Sequence, residues 1–393
     1  MHILYIARWY PHKYDPMLGL FVKRHAEASA LYCSISVIYV QQDDSNDIDL
    51  INYDLQIENG LTVLRVYYKK TSIFIEPFNK LINFYRYLLC NFKAYNILTK
   101  KIGKPDLIHV HILTRAALPA LFLKIFYKIP YIITEHWSRY LPYVNTYKGW
   151  LRKIMTRLIV RKASAVTTVT ENLKLAMLSC GLYNNNYIVI PNSVDTELFK
   201  PDYSYQTDNL NKNKIIIGNI SCFEDKSKNI SGILNVIKKL TEKRQDFELH
   251  LIGEGQDLKK LELIAQQSKL LNKYVFFKGL LEGEALVEEI QNFDFLLMFS
   301  NYENMPVVIN ECLACAVPVL SSDVGGISEI ISTDKGLLVK PGDEEALLNA
   351  LIYIMNNLNL FDKSKLREYA VSNFSKINIG KTLSELYKKT KLF

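Results

Sequence analysis

Two glutamates in the pattern Glu303-x7-Glu311 flank the turn Asn304-Met305-Pro306, which follows the hydrophobic run Phe295–Phe299. Proline suits the first turn of a helix, so a helix is expected from about Pro306. The backbone N–H groups of Asn304–Val307 would then point at an anion, with the helix dipole favouring negative charge. A carboxylate aimed at a phosphate is repelled, whereas one aimed at neighbouring hydroxyls accepts two hydrogen bonds. A backbone-held phosphate beside two hydroxyl-reading carboxylates is the chemistry of a nucleotide-sugar; on charge alone, Glu303 and Glu311 also read as surface residues. A second signal, Gly253-x-Gly255, ends the run Phe247–Ile252. Glycines there permit a tight turn and close backbone approach to a ligand, with a plain turn as the alternative. The full GxGxxG is absent, which argues against a nicotinamide or flavin site. Cys312-x-x-Cys315 lacks a second pair or a nearby histidine, so it reads as two core residues on a helix rather than a metal site.

The elements that carry these residues form two series. Ile3–Ile6, Ile35–Val40, Leu61–Tyr67, Leu107–His111, Tyr131–Thr134, Ala165–Val169 and Tyr187–Ile190 read as strands, with helices between most of them. After a polar stretch, Lys200–Lys214, come strands Lys214–Ile220, Phe247–Ile252, Val275–Lys278, Phe293–Met298 and Pro318–Ser321. Their helices are Ile230–Thr241, Asp257–Leu270, Glu284–Ile290 and Pro306–Cys315. Such alternation predicts parallel, doubly wound sheets. The expected fold is therefore α/β, with two Rossmann-like domains facing a central cleft. The expected divisions are 1–198, 199–372 and a C-terminal helix at 373–393 packing back on the first domain. A ligand would bind outside the carboxyl ends of the strands. His109, His111 and His136 fall at such strand ends, where a structural role is the ordinary reading.

The chain has 393 residues, 49% hydrophobic and 22% charged, with net charge +8. That composition excludes a disordered chain, a collagen and a small disulfide scaffold, and six scattered cysteines fit no disulfide framework. The N-terminus lacks the features of a signal peptide, and no apolar run is long enough for a transmembrane helix. A cytoplasmic protein, peripheral on the inner face of the membrane, is expected. The charge is concentrated: residues 62–162 hold 19 basic and 3 acidic residues. Within it, 147–162 has six basic residues and no acidic one, with Trp150, Leu151, Ile154, Leu158 and Ile159 at near-helical spacing. The stretch 69–101 is similar, with Ile73, Phe74, Phe78, Leu81, Ile82 and Tyr85 among Lys69, Lys70, Lys80, Arg86 and Lys93. Basic amphipathic helices suit an anionic membrane surface; helices packed on the sheet are the alternative. No motif for nucleic acid accompanies the charge.

Taken in order, the motifs resemble those of the retaining GT-B glycosyltransferase family 4, the glycosyl transferases group 1. Glu303-x7-Glu311, Ala314, Pro318-Val319 and Gly325-Gly326…Glu329 resemble its signature. Ile190-Pro-Asn-Ser-Val-Asp195 resembles its domain junction, Lys228-Asn229 its donor-phosphate lysine, and Val275-Phe-Phe-Lys-Gly279 the strand before its nucleotide-base loop. Asp106-Leu-Ile-His-Val-His111, Thr134-Glu-His136 and Trp9-Tyr-Pro11…Gly19-Leu-Phe21 resemble its first-domain segments.

The resemblance implies a GT-B transferase that moves a sugar from a UDP- or GDP-sugar to a glycan or lipid-linked glycan in bacterial capsule, lipopolysaccharide or other surface polysaccharide synthesis. Glu311 would hold the donor ribose and Glu303 the transferred sugar near the reacting face. Backbone groups of Asn304, Met305 and Pro306 would hold the distal phosphate, Lys228 the leaving diphosphate, and Gly253 and Gly279 would lie in the donor site. His136 would contact the sugar near the reaction centre, and Gly19 would lie on the acceptor side. No metal or other cofactor is implied; the acidic pair Asp47-Ile-Asp49 falls in a polar loop. Two departures stand out. The family's arginine before the lysine is missing from Asn219–Lys228, which leaves Lys226 and Lys228 as alternatives for the phosphate, and Ser193 replaces a glycine. A nucleotide-sugar epimerase of the same architecture and a non-catalytic nucleotide-binding relative are the rival readings.

Overall fold

The computed structural model describes residues 1–43, 50–71, 76–144, 146–202 and 214–391. Asp47-Ile-Asp49, Ile73, Phe74 and most of the expected polar linker lie outside them. The chain runs β1 (His2–Ala7), α1 (Leu20–Ala30), β2 (Ser34–Asp43), β3 (Ile51–Glu58), β4 (Leu61–Lys69), α2 (Glu76–Ile102), β5 (Leu107–His111), α3 (Ala117–Tyr127), β6 (Tyr131–Glu135), α4 (Trp150–Lys162), β7 (Ala165–Thr168), α5 (Glu171–Ser179) and β8 (Tyr187–Val189). It continues β9 (Ile215–Ile220), α6 (Asp225–Lys228), α7 (Ile230–Thr241), β10 (Phe247–Ile252), α8 (Leu258–Gln267), β11 (Val275–Gly279), α9 (Gly283–Gln291), β12 (Phe295–Met298), α10 (Val307–Ala314), β13 (Val319–Ser322), β14 (Gly336–Val339), α11 (Glu344–Asn356), α12 (Lys363–Phe374) and α13 (Lys376–Lys391). Two compact units result: Met1–Ser193 with Lys376–Phe393, and Val194–Ser375.

In the first unit the sheet order is β3-β4-β2-β1-β5-β6-β7-β8. β5, β6 and β7 are buried along their whole length, as expected of parallel strands covered on both faces. The exception is β3, which pairs antiparallel with β4 at the edge. Asn59 and Gly60 both take positive φ, 47° and 79°, making the primed turn that suits a tight hairpin. β3 is absent from the strands read off the sequence because it buries neither face well; Ile57 is 77% exposed.

α13 returns to this unit. Ile379, Leu383, Leu386 and Tyr387 join the core of β1, β2 and α1. Gly380 is required where α13 meets α1, because a Cβ there would lie 2.0 Å from the Ala28 carbonyl oxygen. The Tyr387 hydroxyl bonds to Tyr5 Oη at 2.7 Å, His109 Nδ1 at 2.8 Å and Ser29 Oγ at 3.2 Å, all buried.

The second unit is an all-parallel sheet in the order β11-β10-β9-β12-β13-β14. α12 stays with it. Arg367 donates to the carbonyls of Thr196 (2.6 Å), Phe199 (2.7 Å) and Ala314 (2.9 Å), and the Val194 N–H donates to the Phe374 carbonyl at 2.8 Å. These bonds put the divisions at 193/194 and 375/376 instead of the expected 198/199 and 372/373. The C-terminal helix expected at 373–393 is α13, which starts at Lys376 because Ser375 is extended and ends α12 at Phe374.

Replacing Tyr387 with Phe strips one hydroxyl from Tyr5, Ser29 and His109 together. It should cost about 1–3 kcal/mol of the first unit's stability. Urea unfolding followed by tryptophan fluorescence reads that unit alone, since Trp9, Trp137 and Trp150 all lie in it.

Candidate active site

In the second sheet the strand order reverses between β9 and β12, which pair in parallel through Phe295↔Ile217 and Leu296↔Gly218. Ligands of open α/β sheets bind outside the carboxyl ends of the strands at such a switch point. The loop after β9 leads into α6, and the loop after β12 leads into α10. The Asn301 N–H donates to the Ser227 carbonyl at 2.8 Å, and Asn301 Nδ2 to the Lys226 carbonyl at 3.0 Å. With the loops so joined, Lys228 Nζ forms an ion pair with Glu303 Oε1. Ser300 Oγ donates to the same oxygen at 2.9 Å. Burial disfavours the charged ammonium, but the charge and hydrogen bond of Glu303 outweigh it and raise Lys228 above the usual lysine range. Lys226 is exposed and forms no ion pair among the described residues, so the two lysines that the sequence left as alternatives stand in different settings.

Glu303, Asn304 and Met305 are buried, and Glu311 is buried on α10. α10 starts at Val307 with Pro306 as its N-cap, and Pro306 has no side-chain oxygen to cap the helix. The Gly325-Gly326 loop is seated on this segment. The Gly326 N–H donates to the Asn304 carbonyl at 2.9 Å, and a Cβ on Gly325 would lie 2.2 Å from the Glu303 carbonyl oxygen. Gly253 and Gly255 have a packing reason too. Their Cβ atoms would meet Ser221 O at 2.0 Å and Phe223 O at 2.6 Å, in the loop that leads to α6. The Gly253 N–H donates to the Gly279 carbonyl at 2.8 Å. Cys312 and Cys315 are buried, and burial holds both thiols protonated, Cys315 at about 12.

The first sheet reverses between β1 and β5, and the strand-end histidines gather there. His136 follows β6 on a backbone clamped by Glu135. Glu135 Oε1 accepts the N–H groups of His136 (3.0 Å) and Trp137 (2.9 Å), and Oε2 accepts that of Leu113 (3.0 Å). His136 Nε2 lies 3.1 Å from His111 Nδ1, and its ring packs on Phe21 at 4.5 Å between centroids. Gly19 is left-handed (φ 70°) and lies against Trp9, where a Cβ would be 2.4 Å from the carbonyl carbon. His109 is structural, held between Tyr387 and Thr134.

His25 of α1 joins this group, with Nε2 bonded to the Pro191 carbonyl at 3.0 Å. The sequence reading missed it, although Val22, His25, Ala26 and Ser29 recur at helical spacing on the buried face of α1. Burial drives the histidines neutral: His25 falls to about 4, and His109, His111 and His136 fall well below the ordinary value, helped by each other's charge. The His136 ring is therefore neutral at neutral pH. One group of described residues could hold a metal: ligand nitrogens of His25, His111 and His136 lie within 4.8 Å of one another.

Residues 205–373 match the family model of glycosyl transferases group 1, and residues 58–198 match that of glycosyltransferase family 4. The fold is GT-B. Among solved structures it resembles sucrose-phosphate synthase from Thermosynechococcus elongatus (TM-score 0.75, 18% identity, 99% of each chain). It also resembles Anabaena HepE in complex with UDP (TM-score 0.72, 16% identity, 99% of this chain and 100% of that one). The protein belongs to the GT-B glycosyltransferases of the family 4 type. Bacillus subtilis TuaC, assigned to teichuronic acid biosynthesis as a glycosyltransferase, is 24% identical over 373 residues, 89% of this chain and 88% of TuaC. EpsF of the same organism is 28% identical over 193 residues, 48% of this chain and about half (49%) of EpsF.

The histidines make the first unit sensitive to acid. A histidine whose folded pKa is depressed adds stability above its unfolded value, and that stability is lost as pH falls toward the folded value. For His25 the window runs from 6.5 down to about 4. Between about pH 7 and pH 5 it alone should cost about 2 kcal/mol. Burial raises the Glu135 carboxyl, which works in the opposite sense. Tryptophan-monitored melting should show a clear fall in midpoint across that range; a flat profile contradicts the neutral-histidine arrangement.

Proposed function

We propose that the protein is a retaining transferase that uses a UDP- or GDP-sugar and a glycan or lipid-linked glycan acceptor in bacterial surface polysaccharide synthesis. The Lys228–Glu303 pair at the β9/β12 switch point, beside the start of α10, is the observation that carries the reading. HepE, of the same fold, is in complex with UDP, and the match to TuaC favours a surface polysaccharide. The first amides of α10 and the cation of Lys228 would face the diphosphate. Glu303 keeps Lys228 charged and positioned while reading sugar hydroxyls, and Glu311 would hold the ribose. Charge develops on the diphosphate as its bond to the anomeric carbon breaks, and a preorganised cation stabilises it there. The acceptor oxygen bonds to the anomeric carbon on the face the diphosphate leaves, and its proton passes to the departing phosphate. Neutral His136 would hydrogen-bond the sugar. The scheme uses no metal.

Membrane docking belongs to the same proposal. The buried residues of α4 are Thr156, Ile159 and Val160. At 100° per residue, Trp150, Leu151, Ile154 and Leu158 fall on the opposite side, and they are 74%, 58%, 53% and 41% exposed. Exposed Arg152, Lys153, Arg157, Arg161 and Lys162 accompany them, and α4 has no acidic residue. An outward apolar stripe among cations fits an anionic bilayer surface. Among the described residues no helix is long and apolar enough to cross a membrane.

Glu303→Ala should abolish sugar transfer, losing at least about 100-fold in kcat, and Glu311→Ala should weaken donor binding measured by calorimetry. The assay runs with excess EDTA, and donor without acceptor should give no new nucleotide-sugar. Full activity in Glu303→Ala, or loss of transfer on chelation, contradicts the scheme.

Vesicles of phosphatidylglycerol should blue-shift the Trp150 emission at low salt, and phosphatidylcholine vesicles should not. Trp150→Phe should remove the shift, and Leu151→Ser with Ile154→Ser should weaken binding at unchanged melting temperature. Equal binding to both vesicle types overturns the membrane assignment.

A further inference from the structure

Beside the histidines, a cavity of about 230 Å³ opens at the carboxyl edge of the first sheet. Arg8 after β1, Thr114 and Arg115 after β5, Trp137 and Arg139 after β6, and Arg152 of α4 line it, and no acidic residue does. Arg139 is only 8% exposed. Its guanidinium lies 3.5 Å above the Trp137 ring, which leaves the N–H edge to point elsewhere. Arg8 Nε, Arg139 Nε and Thr114 Oγ1 are buried, and no protein atom accepts from or donates to them. Among the described residues none of the four arginines forms an ion pair. Glu135, whose charge is felt at Arg139, already has its oxygens occupied by three backbone N–H groups.

A buried cation without a counter-ion is costly, and arginine cannot shed its proton to escape that cost. Here burial, and then Arg115, lower the proton affinity of Arg8; burial and Arg152 do the same to Arg139. Four convergent guanidiniums with a hydroxyl make a fork-shaped donor set that matches tetrahedral oxyanions. We infer that this pocket binds a phosphate or diphosphate group carried by the acceptor. The word acceptor rests on the transferase reading; the anion site itself does not.

Calorimetry on the full-length protein tests it, with inorganic pyrophosphate as the probe and UDP present at saturation. Pyrophosphate should bind despite UDP. Arg139→Gln should weaken it about tenfold or more, and so should Arg115→Gln, which alters an exposed side chain and spares the fold. Glucuronate should bind far more weakly. Release of Arg115→Gln from phosphatidylglycerol vesicles would assign the phosphate to a lipid; retention there with loss of pyrophosphate would assign it to a soluble or glycan-borne group. No pyrophosphate binding beside UDP, equal binding in both variants, or glucuronate binding as tightly overturns the proposal. If UDP itself fails to bind, the donor reading falls, while Arg115-dependent pyrophosphate binding still stands.

Discussion

The parallel pairing of β9 with β12 is the constraint on which the candidate site of the second unit depends. Parallel neighbours send their following loops out at the same edge, so α6 and α10 start side by side although Lys228 and Glu303 are 75 positions apart. Gly218 in β9 leaves room for the Phe293 ring just before β12, which a Cβ would meet at 2.0 Å. Once the strands are registered, the remaining loop atoms are fixed by Asn301, Gly325 and Gly253. A buried ion pair is weak evidence for stability, because desolvating both charges offsets much of their attraction. An apolar pair of similar size would hold these loops at least as well. The presence of lysine and glutamate at that edge is better explained by the charge they present to a ligand.

The first unit obeys the same edge rule with opposite chemistry. β1, β5 and β6 each deliver a ligand-capable residue to one end of the sheet: Arg8, His111, and His136 with Arg139. The histidines are deeply buried and neutral, hydrogen-bonded to one another or to carbonyls, and they carry no field. The arginines are charged across the physiological pH range and, among the described residues, form no ion pair with a carboxylate. A neutral reading surface therefore adjoins a strongly positive one a few residues along the same loops. Glu135 spends Oε1 on the backbone of the loop that carries His136, Trp137 and Arg139, and Oε2 on Leu113 in the loop after β5. A carboxylate used in this way sets geometry without neutralising the arginines.

Periodicity and turn chemistry made most of the parallel strands and the two-unit division legible, because strands buried on both faces are apolar throughout. Edge and junction elements were not. β3 shows exposed side chains on both faces, and only the Asn59-Gly60 turn marks it. The helix after Asp362 keeps its apolar pattern across Ser375, so nothing in the pattern announces that α12 and α13 serve different units. Lys226 and Lys228 could not be told apart by type; they lie on different sides of a single helical turn, which Asn301 sets so that Lys228 meets Glu303. Gly253 read either as a turn or as a place where a ligand approaches; the backbone of Ser221 lies where its Cβ would be, a packing reason for the glycine that the sequence does not show. His25 and the arginine pocket escaped because their members come from four distant loops and helices, and no local pattern joins them.

The basic surplus of 62–162 can now be divided by its physical setting. The cations on the outer face of α4 are solvated, so salt screens them over roughly 8 Å at physiological ionic strength. Their effect is to steer the protein toward negative surfaces and to flank an apolar stripe that water does not favour. The guanidiniums of Arg8 and Arg139 are largely removed from solvent, and screening reaches them poorly. Arg152 belongs to both sets, since α4 is exposed at one side and lines the pocket at another. A solvated face alone would place its charges outside, with apolar residues inward. Here Trp150 and Leu151 point out while Arg139 points in. That inversion is what a non-specific basic surface does not produce, and it is the physical reason for treating the solvated cations of α4 and the enclosed guanidiniums as two separate proposals.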